Sequence, residues 1–221
     1  MTRFHDRETV LDLRAQGKSY SQIKEILHIS KSTLSVWLKD YPLSKDQIDA
    51  LRGKSPIRIE KYRNTMRLKR EERLRIVYEN QNSDLLPLTK KELLIAGLFL
   101  YWGEGSKTTG AVSLNNTDSS VLRFTLYWLV NICNVPRNKI RVNLHLYRDM
   151  NINHEMLFWS KNLKIPLSQF AKPYIKNSNR EHLTQKGYGH GTCGLVVNDI
   201  RLKEKIMMGI KAISDYYSLR I

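Results

Sequence analysis

The N-terminal part of the fold is decided by residues 17–38, which read GKSYSQIKEILHISKSTLSVWL. Ser19 and Gln22 have the spacing of a capping box, in which each side chain bonds the other residue's backbone N–H, so a helix is predicted to begin there. Ser30 is a natural N-cap for a further helix, since its hydroxyl can accept from an N–H of the first turn. The stretch therefore predicts two short helices joined by a tight turn at 28–30.

A first helix precedes this pair, and the third helix has two distinct faces. Val10, Leu11 and Leu13 form the apolar stripe of the first helix, which we expect to end near Gly17. On the third helix the apolar residues recur at helical spacing and are expected to face inward, while polar and basic residues occupy the other face. The inward set is Leu34, Trp37 and Leu38, and the outer set is Lys31, Ser32, Thr33, Ser35 and Lys39.

Three short helices with this turn resemble the helix-turn-helix of resolvases, transposases and small regulators. In such a motif the third helix enters the major groove of DNA and presents its first residues to base edges. We therefore predict a helix-turn-helix DNA-binding domain over residues 1–44, with the outer set on the third helix as the DNA contacts. The alternative is a three-helix packing module that makes no DNA contact.

Residues 45–87 are predicted to form a basic, largely helical linker. From Arg52 to Ile76 the sequence has ten Lys and Arg against three Glu, with no Gly or Pro after Pro56. The polar run 80–83 is predicted to end the helix. A basic connector between DNA-binding parts would follow the phosphates without reading sequence, whereas the alternative is a solvated connector. The cations we single out as phosphate contacts are Arg58, Lys61, Arg67 and Arg70.

The overall composition points to a polyanionic partner. The chain has 221 residues, 37 Lys and Arg against 21 Asp and Glu, a net charge of +16 and a pI of about 9.9, which favours double-stranded DNA. With 41% hydrophobic residues it is long enough to bury a core. Two distant cysteines exclude a disulfide scaffold and a cysteine-rich zinc finger. The longest apolar run, 93–102, is too short for a bilayer, so no membrane is expected and the predicted location is cytoplasmic, associated with the nucleoid in a bacterium.

The region after Pro87 predicts an α+β domain over residues 88–221. Its elements are predicted in the order helix, strand, helix, strand, helix, strand, strand, helix. The first helix is apolar on every side over 93–102, so we expect it to be buried all round, in a core or an interface. Residues 140–148 alternate between apolar and polar side chains, as in a half-buried strand. The outward residues of that strand, Arg141, Asn143 and His145, are predicted DNA contacts.

The segment Gly97–Gly105, GLFLYWGEG, followed by Asn115–Asp118, NNTD, resembles the LAGLIDADG homing endonuclease family. The resemblance implies a homodimer packed through the 93–104 helix and an antiparallel DNA-binding sheet. It also implies Mg²⁺ or another divalent cation at Glu104, the position of the family's terminal acid. Gln185 and Lys186 match the polar and basic residues around the family's cleavage centre. Phe99 and Trp102 depart from the small and acidic residues that the family has at those positions.

A physical argument also singles out Glu104. A carboxylate at a helix C-terminus meets the negative end of the helix dipole, at a cost of a few tenths to about 1 kcal/mol, and a bound metal would reverse that sign. The neighbouring glycines, Gly103 and Gly105, would let a metal or phosphate approach closely. The alternative is an ordinary exposed glutamate at a helix end.

The leading hypothesis is a sequence-specific DNA-binding protein that acts as a homodimeric, Mg²⁺-dependent endonuclease of mobile-element type and makes double-strand cuts. The alternative is a non-catalytic transcriptional regulator built on a degenerate LAGLIDADG domain. A recombinase or transposase accessory protein is a third possibility, but no catalytic Ser or carboxylate cluster supports it. No P-loop is present, so no nucleotide cofactor is expected. The histidines at 145, 154, 182 and 190 lack the spacing of metal-ligand motifs.

Overall fold

The computed structural model describes residues 3–51, 54–178 and 189–218, which form two compact units that divide between Leu86 and Pro87. The α+β class predicted from the sequence is confirmed, since the N-terminal unit is helical and the second unit adds a four-stranded sheet. No helix within these ranges combines the length and hydropathy needed to cross a bilayer.

The described residues of the N-terminal unit form five helices, and the second and third of these begin at the predicted caps. Ser19 and Gln22 bond reciprocally at the start of the second helix, and the Ser30 hydroxyl accepts from the Thr33 N–H at the start of the third. Gly17 lies after the first helix at φ 86°, a conformation that glycine adopts without strain. The helices are α1 Arg3–Ala15, α2 Tyr20–Leu27, α3 Lys31–Leu38, α4 Lys45–Asp49 and α5 Lys54–Leu85.

A small apolar core holds α1, α2 and α3 together. Its buried residues are Val10, Tyr20, Ile23, Leu34 and Leu38, with Trp37 packed against them. A second cluster, made of Leu43, Ile48, Leu51 and Ile57, joins α4 to the start of α5. The first turns of α5 therefore pack on α4 within the N-terminal unit.

Helix α5 continues farther than the sequence predicted. Residues 80–83 are helical, so the expectation that this polar run ends the helix is wrong. Asn, Gln and Ser destabilise an exposed helix less than Gly or Pro does. No Gly or Pro occurs in α5 after Pro56. Pro87, which lacks a backbone N–H donor, follows two residues after the last helical position.

The C-terminal unit has the predicted order of elements. These elements are α6 Lys90–Glu104, β1 Val112–Asn116, α7 Ser119–Asn131, β2 Arg141–Tyr147, α8 Ile152–Leu163, β3 Tyr174–Lys176, β4 Thr192–Val197 and α9 Ile200–Ser218. Two single turns of 3₁₀ helix, Arg137–Lys139 and Leu167–Gln169, lie before β2 and β3.

The sheet is mixed, and so the prediction of a wholly antiparallel sheet is wrong. The strand order is β1-β4-β2-β3; β4 is antiparallel to β1 and β2, whereas β3 is parallel to β2. The reason is the connection through α8, since a helical crossover brings the chain back in the same direction. Strand β3 is only three residues long, and residues 167–169 before it form a turn of 3₁₀ helix.

One face of the sheet packs on helices and the other is polar. The inward residues of β2, Val142, Leu144 and Leu146, are almost fully buried, and so are Trp128 and Leu129 of α7. Helix α7 packs on β1 and β4, and α6 and α9 pack on β1 and on each other. The alternation read from the sequence therefore gives the correct orientation of β2.

Within the single chain helix α6 is buried on one side, and burial of its other side in an interface stays a prediction. Leu98 and Tyr101 are buried, and Gly97 is close enough to α7 that a Cβ there would lie 2.0 Å from Trp128 Nε1. The other side of the helix carries apolar side chains that are 36–50% exposed. We call this side the apolar strip of α6; its residues are Leu94, Ile95, Phe99 and Trp102.

Candidate nucleic-acid interface

Helix α3 presents a polar and basic face to solvent. Lys31, Ser32, Ser35 and Lys39 are exposed, as predicted from the sequence, and Thr33 is half-buried. The hydroxyls of Ser32 and Thr33 both bond Ser30 Oγ, at 2.8 and 2.9 Å, so they belong to the N-cap network of the helix. Lys31, Ser35 and Lys39 lie outside this network.

Val36 is a further exposed residue on this face and is missing from the sequence prediction. Its side chain is 66% exposed and follows Ser35 on the helix surface. An apolar side chain on a recognition helix can contact the methyl group of thymine. Helical periodicity alone could have found it, since Val36 lies outside the inward set.

The turn before α3 is fixed by the backbone of His28. This residue has φ 54°, in the left-handed region, and its N–H donates to Lys24 O at 2.9 Å. A left-handed residue at a helix C-terminus satisfies an unpaired carbonyl and redirects the chain. The geometry gives His28 a structural role in the turn between α2 and α3.

A groove with basic walls lies between α3 and α5. It has a volume of about 540 Å³, and we call it the basic groove. It brings together four of the predicted DNA contacts, since Ser35 and Lys39 come from α3 and Arg67 and Arg70 come from α5. The other cations that line it are Arg14, Arg63, Lys69 and Arg73.

A buried ion pair lies at the base of the basic groove. Glu60 of α5 accepts from Arg14 Nη2 at 2.8 Å and from Arg63 Nη1 at 2.7 Å, and the Arg14 and Glu60 side chains are 4% and 2% exposed. Arg14 also donates to the carbonyls of Lys18 and Tyr41. The ring of Tyr20 lies beneath both guanidiniums, and burial raises the pKa of its hydroxyl. These contacts fix the angle between α1 and α5.

The cations of α5 differ in how far they are neutralised. Arg67 Nη1 lies 2.6 Å from Glu71 Oε1, and Arg75 bonds both Glu72 and Glu79, whose hydrogen bonds raise the pKa of its guanidinium. Lys61 lies 3.5 Å from Asp49, and neither Lys61 nor Arg58 lines the basic groove. Within the described ranges Arg70 forms no ion pair, so its charge is available to a phosphate.

The polar face of the sheet carries the three predicted contacts of β2. Arg141 and His145 are exposed, Asn143 is half-buried, and all three lie on the face opposite the helices. Asn115 of β1 lies on the same face, across Gly194 of β4. A Cβ at Gly194 would lie 2.0 Å from Asn115 Oδ1. Because glycine has no Cβ, the Asn115 side-chain amide can lie over the backbone of β4 at this position.

The edge of this face ends in an aromatic pair. The ring centroids of His145 and Tyr174 are 5.5 Å apart, and Tyr174 is 62% exposed. Asn, Arg and aromatic side chains are types that hydrogen-bond or stack on bases. We call Asn115, Arg141, Asn143, His145 and Tyr174 the polar sheet face.

Glu104 is the last residue of α6, and its carboxylate is exposed. Glu104 Oε2 accepts from Asn116 Nδ2 at 3.4 Å. The backbone after it is tightly held, because the Tyr101 hydroxyl donates to Ser106 O at 2.7 Å and the ring occupies the space that a Cβ of Gly105 would need. The arrangement fixes the position of Glu104 at the helix end.

Lys203 supports the same turn and is missing from the sequence prediction. Its ammonium is buried and donates to the Tyr101 hydroxyl at 2.8 Å and to the carbonyl of Ser106. It lies 4.8 Å from the centroid of the Tyr101 ring. The sequence gives no signal for this contact, since the two residues are 102 positions apart.

The predicted catalytic residues are not assembled into a cluster by the described part of the chain. Glu104 belongs to no group of three or more His, Cys, Asp or Glu side chains there. Gln185 and Lys186 lie outside the described residues. The Glu104 carboxylate alone could supply only some of the ligands of a Mg²⁺ ion. Water and phosphate would have to supply the others.

Comparison with known proteins identifies the first unit. Residues 2–52 match the family model of a homeodomain-like domain. The N-terminal unit carries a helix-turn-helix DNA-binding domain. This confirms the motif predicted from the sequence, and a domain of this kind indicates binding to double-stranded DNA. The matched residues end just before α5. Neither the curated proteins nor the solved structures gave a match to the chain. The LAGLIDADG resemblance of the C-terminal unit stays a prediction.

Proposed function

We propose that the protein binds a specific DNA sequence, with α3 in the major groove and α5 along the phosphates. The observation that carries the proposal is the basic groove, which joins the exposed face of a helix-turn-helix recognition helix to the cations of α5. Base contacts give specificity and phosphate contacts give position and affinity, so one surface supplies both.

The exposed face of α3 has the chemistry of base readout. Lys31 can donate to guanine O6 and N7, Ser35 can donate or accept, and Val36 can contact a thymine methyl. Each good contact of this kind discriminates by about 1–3 kcal/mol. From Lys31 to Lys39 there is no acidic residue, and the one aromatic residue, Trp37, packs on the core and not on this face.

The polar sheet face is proposed as a second DNA contact. It presents an arginine, two asparagine amides and two rings on one side of a sheet whose other side is covered by helices. The face has no acidic residue at any of its five positions. A contact here would extend the bound site beyond the base pairs that α3 reads.

The proposal is tested by selecting bound molecules from a randomised duplex library. Lys31→Ala and Ser35→Ala are expected to change which bases are enriched, whereas Arg70→Gln is expected to weaken binding to every sequence alike. Lys211→Gln is the control, since Lys211 already pairs with Asp215 at 2.7 Å in the other unit. Selection of the same bases by wild type and both α3 variants would contradict the assignment of α3.

The second candidate function is a Mg²⁺-dependent endonuclease that acts as a homodimer. The exposed Glu104 carboxylate and the apolar strip of α6 favour it, because the strip offers a surface for a second copy and each copy would bring one acid. Bound Mg²⁺ would stabilise the charge that develops on the scissile phosphate. Glu104 would hold the ion, and Asn116 would orient the carboxylate.

Cleavage separates this candidate from a regulator that only binds DNA. Wild-type protein is incubated with its selected site in Mg²⁺ or in EDTA, beside Glu104→Gln and the exposed control Glu204→Gln. An endonuclease would cut in Mg²⁺ only and lose cutting, but not binding, in Glu104→Gln. Intact DNA in every sample would leave a DNA-binding regulator and would exclude the nuclease.

A further inference from the structure

The geometry points to a transition-metal site of the zinc class formed by His154, Glu155 and His190 in the C-terminal unit. One potential ligand atom from each residue lies within 4.8 Å of the other two. His154 and Glu155 are in the first turns of α8, and His190 precedes β4 by two residues. Within the described ranges this is the one group of three or more metal-ligating side chains that comes together.

Glu155 is the centre of the site. Its Oε1 lies 3.1 Å from His154 Nδ1, and its Oε2 lies 2.7 Å from His190 Nδ1. The two imidazoles therefore approach opposite oxygens of the same carboxylate. An ion between them would be bound by two nitrogens and one oxygen.

Glu155 is buried at a position that favours an anion. Its side chain is 7% exposed, and a buried carboxylate is costly unless it is paired or binds a metal. Its place in the first turns of α8 favours the anion, because the helix N-terminus is the positive end of the dipole. An ion bound by the carboxylate and the two imidazoles would add its positive charge directly beside this buried anion.

The surroundings hold His190 in place. The ring of His190 stacks on Phe158 at a centroid distance of 3.3 Å, and its carbonyl accepts from Trp159 Nε1 at 2.7 Å. These two contacts limit the positions that the His190 side chain can take. His154 is 66% exposed, so it can move toward an ion held by the other two.

The ligand set selects the class of metal. Imidazole nitrogens suit zinc and its neighbours in the first transition row, whereas Mg²⁺ prefers oxygen. Zinc bonds of about 2.0–2.1 Å place neighbouring ligand atoms about 3.3 Å apart, a spacing that a small movement of His154 would achieve. Three protein ligands leave a fourth position for water. The bound ion would join α8 to the residue before Gly191 and β4.

The cysteines do not compete for the ion. Burial raises the pKa of the Cys133 thiol to about 11 and raises that of Cys193 further, so neither is a thiolate at neutral pH. Neither cysteine belongs to a group of three or more metal-ligating side chains among the described residues.

The test uses the full-length protein, first stripped with EDTA and then titrated with ZnCl₂ by calorimetry. One Zn²⁺ per chain and a higher melting temperature are expected, with no such effect of MgCl₂. Co²⁺ serves as an optical probe, since its visible bands report the coordination number. His154→Ala removes an exposed side chain, so it should fold and should lower zinc affinity at least about tenfold.

Three further variants decide the assignment. His190→Ala and Glu155→Gln should also lose affinity at least about tenfold, whereas His28→Asn, at an exposed left-handed turn position, should keep it. If either buried-site variant fails to fold, His154→Ala still decides. Absence of zinc binding by the wild type would overturn the proposal, and so would zinc affinity that is unchanged in His154→Ala.

Discussion

Helices α5 and α6 follow one another in the chain and are stabilised in opposite ways. From Leu68 to Leu85 every residue of α5 is exposed, and pairs such as Arg67–Glu71 and Arg75–Glu79 connect its turns. Helix α6 is half as long and is stabilised by burial of one side on α7 and α9. The surface that α5 leaves exposed combines these ion pairs with apolar side chains such as Leu68, Leu74 and Val77, whereas the strip that α6 leaves exposed is wholly apolar.

The largest effect is expected where α5 is anchored. Glu60→Gln would leave the buried Arg14 guanidinium without its counter-charge, so the N-terminal unit should lose about 3–5 kcal/mol of stability. Hydrogen exchange of peptides from α1 to α3 in increasing urea measures the loss. The control is Glu71→Gln, which removes an exposed pair and should cost about 0.2–0.5 kcal/mol. Equal losses in the two variants would mean that the buried pair does not anchor α5.

The next effect concerns the buried side of α6. Gly97→Ala would place a methyl group within 2.0 Å of Trp128 Nε1, and should destabilise the C-terminal unit by about 1–3 kcal/mol. Gly103→Ala is the matched control, because its Cβ would meet no atom within 4 Å and alanine favours a helix by roughly 0.5–1 kcal/mol. Thermal unfolding followed by tryptophan fluorescence compares them. A neutral Gly97→Ala would show that α6 and α7 are not tightly packed.

A smaller effect separates the cations of α5. Arg70 lines the basic groove without an ion pair among the described residues, whereas Arg67 is partly neutralised by Glu71. Arg70→Gln should therefore reduce the salt dependence of DNA binding by about 0.9 in log–log slope, and Arg67→Gln by less. Binding titrations between 50 and 200 mM salt give both slopes. A larger change for Arg67 would reverse the ranking.

The smallest effect is a pH dependence at the start of α6. The side-chain and backbone hydrogen bonds of Thr89 lower the pKa of the Glu92 carboxyl, so ionised Glu92 favours the folded state. This stabilisation is present above the unfolded pKa of about 4.3 and is lost as the pH falls through the lower folded value. The melting temperature of wild type relative to Glu92→Gln should decline over that window. If the difference in melting temperature between wild type and Glu92→Gln did not change with pH, the Glu92 cap would not be the source of a pH dependence.

Local signals in the sequence predicted the local structure well. The caps at Ser19 and Ser30 and the alternation of β2 depend on neighbouring residues, so the helix starts and the strand orientation could be read directly. Helix α5 was predicted too short because polar residues were read as a linker, although such residues also suit an exposed helix. The exposed strip of α6 could not be read, because a run that is apolar on all sides does not show which side is covered.

The features that could not be predicted from the sequence depend on contacts between residues that are far apart in the chain. His154 and His190 are 36 positions apart and meet at Glu155 through the packing of α8 against the start of β4. Lys203 reaches Tyr101 in the same way, and β3 became parallel because of the crossover before it. None of these arrangements follows from a spacing of residue types along the chain.

The length of α5 has a consequence for the size of the DNA segment that the protein covers. At 1.5 Å per residue, its 32 residues extend for about 48 Å, which equals roughly 14 base pairs of B-form DNA. A recognition helix alone contacts only a few base pairs in one groove. If α5 follows the phosphates, nuclease protection should reach more than one full turn of the double helix around each recognition sequence, and sites closer together than that would compete for occupancy.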